Sequence, residues 1–374
     1  MNVIFTCGGT AGHINPAIAV ANILKERHPD SKILFIGAKG HMEEKLVPQA
    51  GYELKCLPGS GLVRSLSPKA MKKNLGVVRD LLGSIKECKR IIQEFQADVI
   101  VGTGGYASFP ALYAGSKLGV PTCVHESNAV PGLTTKKVAS RATRVLVCFE
   151  ESAKYYRHPD KVEVVGMPVR KEFITTQKKA ARQELKLDDR PVLVSAFGSL
   201  GARAMNRVMA EVMKLEQAEG MPFRHIHATG SYGWEWMPDH VRSLGVDPDH
   251  CDGLDMREYI YNMPTVMAAA DLIIGRAGAS TCNEIGASGT PCILIPSPNV
   301  TNDHQMKNAR ILGDRGGAVV LPETEVTAEK LYETVKNLMA DRDARARMSA
   351  ALRAMVVMDS ADRICDIIQE LVRA

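Results

Sequence analysis

His13 follows Gly8-Gly9-Thr10-Ala11-Gly12, where an apolar run over residues 2–7 gives way to helical apolar spacing over 15–27. A histidine titrates near neutrality and can take the proton of an attacking hydroxyl. At a helix start the dipole favours its neutral form. The competing reading is a histidine that only caps the helix. A second chemistry-bearing segment is Gly275-Arg276-Ala277-Gly278-Ala279-Ser280-Thr281-Cys282-Asn283-Glu284-Ile285. It follows an apolar run over 271–274 and opens a helix. Ala279, Ser280 and Thr281 would present main-chain N–H groups and small hydroxyls, which suits a diphosphate. Glu284, one turn in, can accept hydrogen bonds from both hydroxyls of a ribose. Its alternative role is to complement the helix dipole.

Two more glycine loops follow strand-like runs, Gly102-Thr103-Gly104-Gly105-Tyr106 and Gly198-Ser199-Leu200-Gly201-Ala202. Each loop taken alone fits a packing requirement as well as a ligand. Three loops facing one cleft favour a large phosphorylated ligand. The spacing Gly8-Gly9-x-x-Gly12 fails the dinucleotide fingerprint, and no glycine loop ends in Lys-Ser or Lys-Thr as a Walker loop does. No Asp-x-Asp pair follows a strand to hold a metal. His225 and His227, two apart in a strand-like run, read as packing or solvent-facing residues rather than ligands. The nine cysteines are scattered with no Cys-x-x-Cys pair, which argues for a reducing compartment and against a disulfide framework or zinc site.

The elements that must position these residues alternate in type. Strand-like runs at 2–7, 32–36, 97–101, 121–124, 144–148 and 161–165 are separated by helical stretches. The pattern restarts at 191–196 and continues at 224–228, 271–274, 291–295 and 318–321. Alternation of this kind predicts parallel sheets covered on both faces. The expected fold class is α/β, with two Rossmann-like, doubly wound domains and a cleft between the carboxyl ends of their strands. The polar stretch 170–190 connects them. The expected division is 1–168 for the first Rossmann-like domain and 169–355 for the second. The last helix, about 356–374, is free to pack back on the first.

With 374 residues, 45% of them hydrophobic and 24% charged, the composition is that of a globular protein of two domains. The formal net charge of +5 is spread without a dominant basic stripe, and aromatics are 5%, so nucleic acid is not expected as a partner. The N-terminus reads as a first core strand, not a signal peptide. No apolar run is long enough to span a bilayer. Residues 62–90, however, carry Arg64, Lys69, Lys72, Lys73, Arg79, Lys86, Lys89 and Arg90 against only Asp80 and Glu87. Ser67-Pro68 suits a helix start, and Met71, Leu75, Val78, Leu82 and Ile85 recur at helical spacing. The later part of that stretch reads as an amphipathic helix packed on its own sheet. The earlier part, Leu62, Val63, Leu66 and Met71 among Lys69, Lys72 and Lys73, reads as a contact with an anionic membrane surface. A second basic cluster, Lys136, Lys137, Arg141 and Arg144, extends it.

Six segments in order give the chain a resemblance to the MurG family of bacterial cell-wall transferases, essentially end to end. They are Gly8-Gly9-Thr10-x-Gly12-His13-x-x-Pro16, His125-Glu126-Ser127-Asn128-x-x-Pro131-Gly132, Gly166-x-Pro168-Val169-Arg170, Gly198-Ser199-x-Gly201-Ala202-Arg203, Arg276-x-Gly278-Ala279-x-Thr281-x-x-Glu284 and Asp303-His304-Gln305-x-x-Asn308-Ala309. The resemblance implies a GT-B fold and an inverting transfer of N-acetylglucosamine (GlcNAc) from UDP-GlcNAc to the MurNAc 4-hydroxyl of undecaprenyl-pyrophosphoryl-MurNAc-pentapeptide, converting lipid I to lipid II. It implies no cofactor and no metal ion. His13 would be the general base, and Thr10, Ala11 and Gly12 would line the diphosphate and sugar. Asn128 and Gln305 would hold sugar hydroxyls, and Arg170, Ser199 and Ile260 would contact the nucleotide, Ile260 through its backbone to the uracil. Ala279, Ser280, Thr281, Cys282, Asn283 and Glu284 would take the diphosphate and ribose. Glu126 would help to orient groups nearby. The implied location is the cytoplasmic face of the cell membrane, bound peripherally, with other cell-wall synthesis and division proteins as further partners. Ala11, Ser127 and Leu200 depart from residues frequent in the family and touch contact details rather than a catalytic group. The rival readings are a UDP-GlcNAc 2-epimerase of the same architecture and an inert nucleotide-sugar sensor.

Overall fold

A computed structural model of the chain describes residues 1–58, 68–105 and 107–373; of residues 11, 68–76, 78 and 301 it describes the backbone only. The chain divides into two compact units, Met1–Val169 with Val357–Ala374, and Arg170–Val356. Among the described residues each unit is built on one parallel sheet.

In the first unit the strands are β1 (Asn2–Thr6), β2 (Lys32–Ala38), β3 (Glu53–Leu57), β4 (Val99–Gly102), β5 (Thr122–Glu126), β6 (Arg144–Val147) and β7 (Val162–Val164). They lie in the order β3-β2-β1-β4-β5-β6-β7. The central strands are buried on both faces, which is why their sequences are unbroken Val, Ile and Phe runs rather than alternating ones. Helix Ala11–Arg27 covers one face, and the closing helix Ser360–Arg373 packs against it through Ile364, Cys365, Ile367, Ile368 and Leu371. Helix Pro68–Phe95 begins at the proline of the Ser67-Pro68 pair. Its later part buries Cys88, Ile91 and Ile92 on the other face of the sheet. Leu82, grouped by spacing with the packed positions, instead points to solvent, 64% exposed.

The second unit carries β8 (Val192–Ala196), β9 (Arg224–Ala228), β10 (Leu254–Arg257), β11 (Leu272–Gly275), β12 (Cys292–Leu294) and β13 (Ala318–Val320), in the order β10-β9-β8-β11-β12-β13. Its core joins Leu193, Leu272, Ile274 and Ile293 of the sheet to Met205, Met209, Val212 and Met213 of helix Arg203–Ala218. Both sheets reverse their strand order once, between β1 and β4 and between β8 and β11. Loops leaving the carboxyl ends of strands at such a reversal diverge and leave room for a ligand. The glycine loops of the sequence sit at these reversals.

β3 and β10 were not expected. Both are edge strands, and their sequences, Glu-Leu-Lys-Cys-Leu and Leu-Asp-Met-Arg, mix charged with apolar residues because one backbone edge needs no burial.

Candidate functional site

In the first unit the loop after β1 and the loop after β4 lock together. Gly105 has φ +80°, and a Cβ there would lie 2.3 Å from the Gly8 carbonyl oxygen. Gly8 faces the Ala107 side chain at 2.5 Å in the same sense. The Ser108 hydroxyl donates to the Thr6 and Gly104 carbonyls at 3.0 and 2.6 Å. Gly8 and Gly105 therefore answer to packing. Gly104 answers to His13: a Cβ on it would lie 2.7 Å from His13 Nδ1.

His13 is half-buried in the first turn of helix Ala11–Arg27. Its Nδ1 lies 3.1 Å from the Thr103 carbonyl oxygen, and the Thr103 hydroxyl donates back to the His13 carbonyl at 2.6 Å. A carbonyl can only accept, so Nδ1 carries the proton and the neutral ring keeps its lone pair on Nε2. That is the tautomer a general base needs. Thr10 is exposed at the N-cap and makes no side-chain cap bond; its carbonyl receives the His13 and Ile14 amides. Gly12 is half-buried beside it, and of Ala11 only the backbone is described.

The loop after β5 is organised by Glu126, which is buried at the strand end. Its Oε1 accepts from both the main-chain and side-chain nitrogens of Asn128 at 3.0 Å, and its Oε2 accepts from Gly132 N at 3.0 Å. Asn128 is thereby fixed with its amide nitrogen toward Glu126. His125 is buried and donates from Nε2 to the Gly166 carbonyl at 2.8 Å; burial keeps its pKa below the usual value.

In the second unit Gly278 caps helix Ala279–Ser288 in an extended conformation, and the first amide inside the helical ladder is Cys282, to the Gly278 carbonyl at 2.9 Å. The Ala279, Ser280 and Thr281 amides precede that ladder, as the first turn of any helix requires. Cys282 and Asn283, grouped by sequence with the ligand-holding residues, turn into the packed interior, and the Asn283 amide donates to the Ala279 carbonyl at 2.8 Å. Glu284 is half-buried. Burial raises its carboxyl to about 7, against the opposing pull of Arg170. Arg170 itself is exposed and stacks its guanidinium 5.2 Å from the Phe173 ring centroid.

Ser199 is exposed after β8, where its loop is bonded to the next one through Ser231 N to the Ser199 carbonyl at 3.2 Å. Ile260 is buried after β10 between the exposed Tyr259 and Tyr261, a placement that leaves its main chain as the contact it can offer. Gln305 lies in the first turn of helix His304–Asp314 and accepts from Ser297 N at 2.9 Å through Oε1, so its amide nitrogen is the group turned elsewhere. Asn302 and Asp303, just before it, both have positive φ (57° and 51°), a left-handed conformation that Asn and Asp enter more readily than other non-glycine residues. Asn308 ties that helix to the Ala277 carbonyl at 3.1 Å.

Within each unit the structure gathers its own set. His13, Gly12, Thr10 and Asn128 stand at the carboxyl ends of β1 and β5 on either side of β4. Arg170 and Glu284 interact, and Ser199, Ile260, Ala279, Ser280, Thr281 and Gln305 belong to loops leaving the same edge of the second sheet. Leu62, Val63 and Leu66 lie outside the described residues, and so do the side chains of Lys69, Met71, Lys72 and Lys73. His225 and His227 are fully buried in a chain running from Glu216 through His225 (2.8 Å) and Ser195 (2.7 Å) to His227 (2.6 Å). Packing holds for them and solvent contact does not. Among the described residues no cluster of three or more His, Cys, Asp or Glu side chains could hold a metal ion. Sequence reading missed Glu43, a fully buried carboxylate under the first glycine loop. It missed Thr103 as the partner of His13, although the Gly-Thr-Gly-Gly run marked the place.

The glycosyltransferase family 28 N-terminal domain matches residues 3–147, and the C-terminal domain of the same family matches residues 192–364. The chain belongs to glycosyltransferase family 28. It is 37% identical to the UDP-N-acetylglucosamine--N-acetylmuramyl-(pentapeptide) pyrophosphoryl-undecaprenol N-acetylglucosamine transferase of Acetivibrio thermocellus, over 100% of this chain and 99% of that one. The enzyme of the same description from a Thermoanaerobacter species is 38% identical over 99% of this chain and all of that one. Among solved structures, MurG of Acinetobacter baumannii superposes with a TM-score of 0.75 at 25% identity, covering 99% of both chains. The paired parallel-sheet units are the GT-B architecture of this family 28 chain. No helix among the described residues is long and apolar enough to cross a membrane.

Proposed function

We propose that this chain transfers GlcNAc from UDP-GlcNAc to the MurNAc 4-hydroxyl of undecaprenyl-pyrophosphoryl-MurNAc-pentapeptide, with inversion at the anomeric carbon. The second unit holds the donor: the Ala279, Ser280 and Thr281 amides take the diphosphate, Glu284 the ribose, and the Ile260 main chain the uracil. Gln305 and Asn128 hold sugar hydroxyls, each turned by a fixed partner. The acceptor hydroxyl attacks C1 as the C1–O bond to the diphosphate breaks, and the bonding pair leaves with UDP. The hydroxyl proton passes to His13 Nε2.

Charge growing on the leaving diphosphate meets helix-start amides already in place, with Ser199 and Arg170 beside them, and needs no cation for neutralisation. The observation that carries the reading is the Thr103 carbonyl on His13 Nδ1, which selects the tautomer able to accept that proton. The lipid-linked acceptor calls for a peripheral position on an anionic, cytoplasmic membrane face. Other cell-wall synthesis and division proteins would be its neighbours there.

The test is transfer of labelled sugar to a lipid I analogue in the presence of a chelator. His13→Ala should lose about 10²–10⁴-fold in turnover while UDP-GlcNAc binding persists. Donor binding without any acceptor glycosylation would favour the sensor or the epimerase.

A further inference from the structure

Glu43 opens the short helix Glu43–Gln49, where an acidic residue would ordinarily face solvent and complement the dipole. Here its carboxylate is fully buried. Oε2 accepts from the Gly9 amide at 3.2 Å, and Oε1 accepts from the Ala38 amide at 2.9 Å. Among the described residues no basic side chain forms an ion pair with it; two main-chain amides hold it. The cradle is cut to its shape by glycines. A Cβ on Gly37 would lie 2.6 Å from Glu43 Cγ, and one on Gly8 would lie 3.1 Å from Oε1.

We infer that Glu43 is a positioning residue for the transfer, setting the main-chain course of the first glycine loop and through it the place of His13. This rests on His13 being the base. The route is short. Gly9 takes a left-handed conformation, φ +89°, with its amide turned down onto Oε2. The next residue, Thr10, receives the His13 and Ile14 amides on its carbonyl and so starts the helix that carries His13. The ring is held from the other side by Thr103. Glu43 thus sets where the base is rooted, and Thr103 sets how its ring is turned. Both oxygens must accept, which a carboxylate does and a carboxamide cannot, since its NH2 would face one of the two amides. A buried carboxylate held only by amides is costly to keep for packing alone. The positioning role supplies a reason for it to stay.

The test is steady-state transfer with Glu43→Gln, His13→Ala and the double variant. Glu43→Gln should lower kcat by about 10²-fold, the scale expected for a displaced catalytic group. The KM for UDP-GlcNAc should change far less than kcat, because the uracil, ribose and diphosphate are held by the other unit. In the His13→Ala background the Glu43→Gln loss should vanish, because a residue that acts through another has nothing left to act on. An equal loss in both backgrounds overturns the inference and leaves His13 standing. A His13→Ala protein with wild-type turnover overturns the reading of His13 and this inference with it. Gly37→Ala serves if Glu43→Gln does not fold: it keeps the charge and displaces the carboxylate, and should show the same fall in kcat with far less change in donor KM. An unchanged kcat there counts against Glu43.

Discussion

Burial raises the Glu284 carboxyl to about 7, so near neutrality the donor-free protein holds it partly protonated. In the proposed donor site the ribose hydroxyls would donate to the ionised form, and the donor should therefore bind more weakly as pH falls below 7, by up to about tenfold per unit. Calorimetry with UDP-GlcNAc, whose diphosphate does not titrate in that range, should register proton release on binding near pH 7. Glu284→Gln should bind more weakly at high pH and lose the pH dependence. Stability moves the other way. A carboxyl with a raised folded pKa binds more protons folded than unfolded between about pH 4.3 and 7, so the free protein loses stability as pH climbs through that window. The melting temperature of Glu284→Gln should exceed that of the parent at pH 8 and match it at pH 5. A parent whose donor affinity is flat from pH 6 to 8 would remove Glu284 from the ribose.

At the level of elements, the glycine loops separate into two kinds that the sequence presents alike. Gly201 has φ +80°, and a Cβ on it would lie 2.0 Å from the Thr229 carbonyl oxygen; Gly198 has φ +91° but open space around it. Gly201→Ala must push two backbones apart and should both destabilise the second unit and abolish donor binding. Gly198→Ala carries only the left-handed penalty, about 1–2 kcal/mol. Thermal melts of the two variants with and without UDP-GlcNAc would decide it, and equal melts would refute the distinction. The same limit explains what was legible. Central strands announced themselves because burial on both faces forces unbroken apolar runs, and the helix starts after β1 and β11 because glycine and small residues cluster there. The edge strands β3 and β10 did not, since exposure on one edge dilutes the pattern. Cys282 and Asn283 stood in the proposed ligand-holding segment yet face inward, because a helix turns successive residues by about 100° and a linear motif hides which of them point out. Glu43 could not be told from any acidic residue in a first helical turn; its role exists only where β1, β2 and that helix meet.

For the whole molecule, a lipid-linked acceptor must be reached by a chain whose described helices do not cross a bilayer. The surplus of charge is modest, +5, so attraction to a membrane has to come from where the cations lie rather than from their number. Lys136, Lys137 and Arg141 are exposed in the first unit, and Lys136 and Arg141 lie against the Tyr155 and Tyr113 rings. Arg144 is paired with Glu163 at 2.9 Å and contributes less. These exposed cations would supply an anchoring surface on the first unit. Each such cation near an anionic surface contributes about 1 kcal/mol at low salt, and screening removes most of that beyond a Debye length. Sedimentation with vesicles should therefore show binding that needs anionic lipid and fades with salt. Lys136→Glu with Lys137→Glu should weaken it several-fold while transfer to a detergent-dispersed acceptor is kept. Equal binding to neutral vesicles at high salt would mean that apolar insertion dominates, and the cationic face would then be a solvated surface with no part in reaching the lipid.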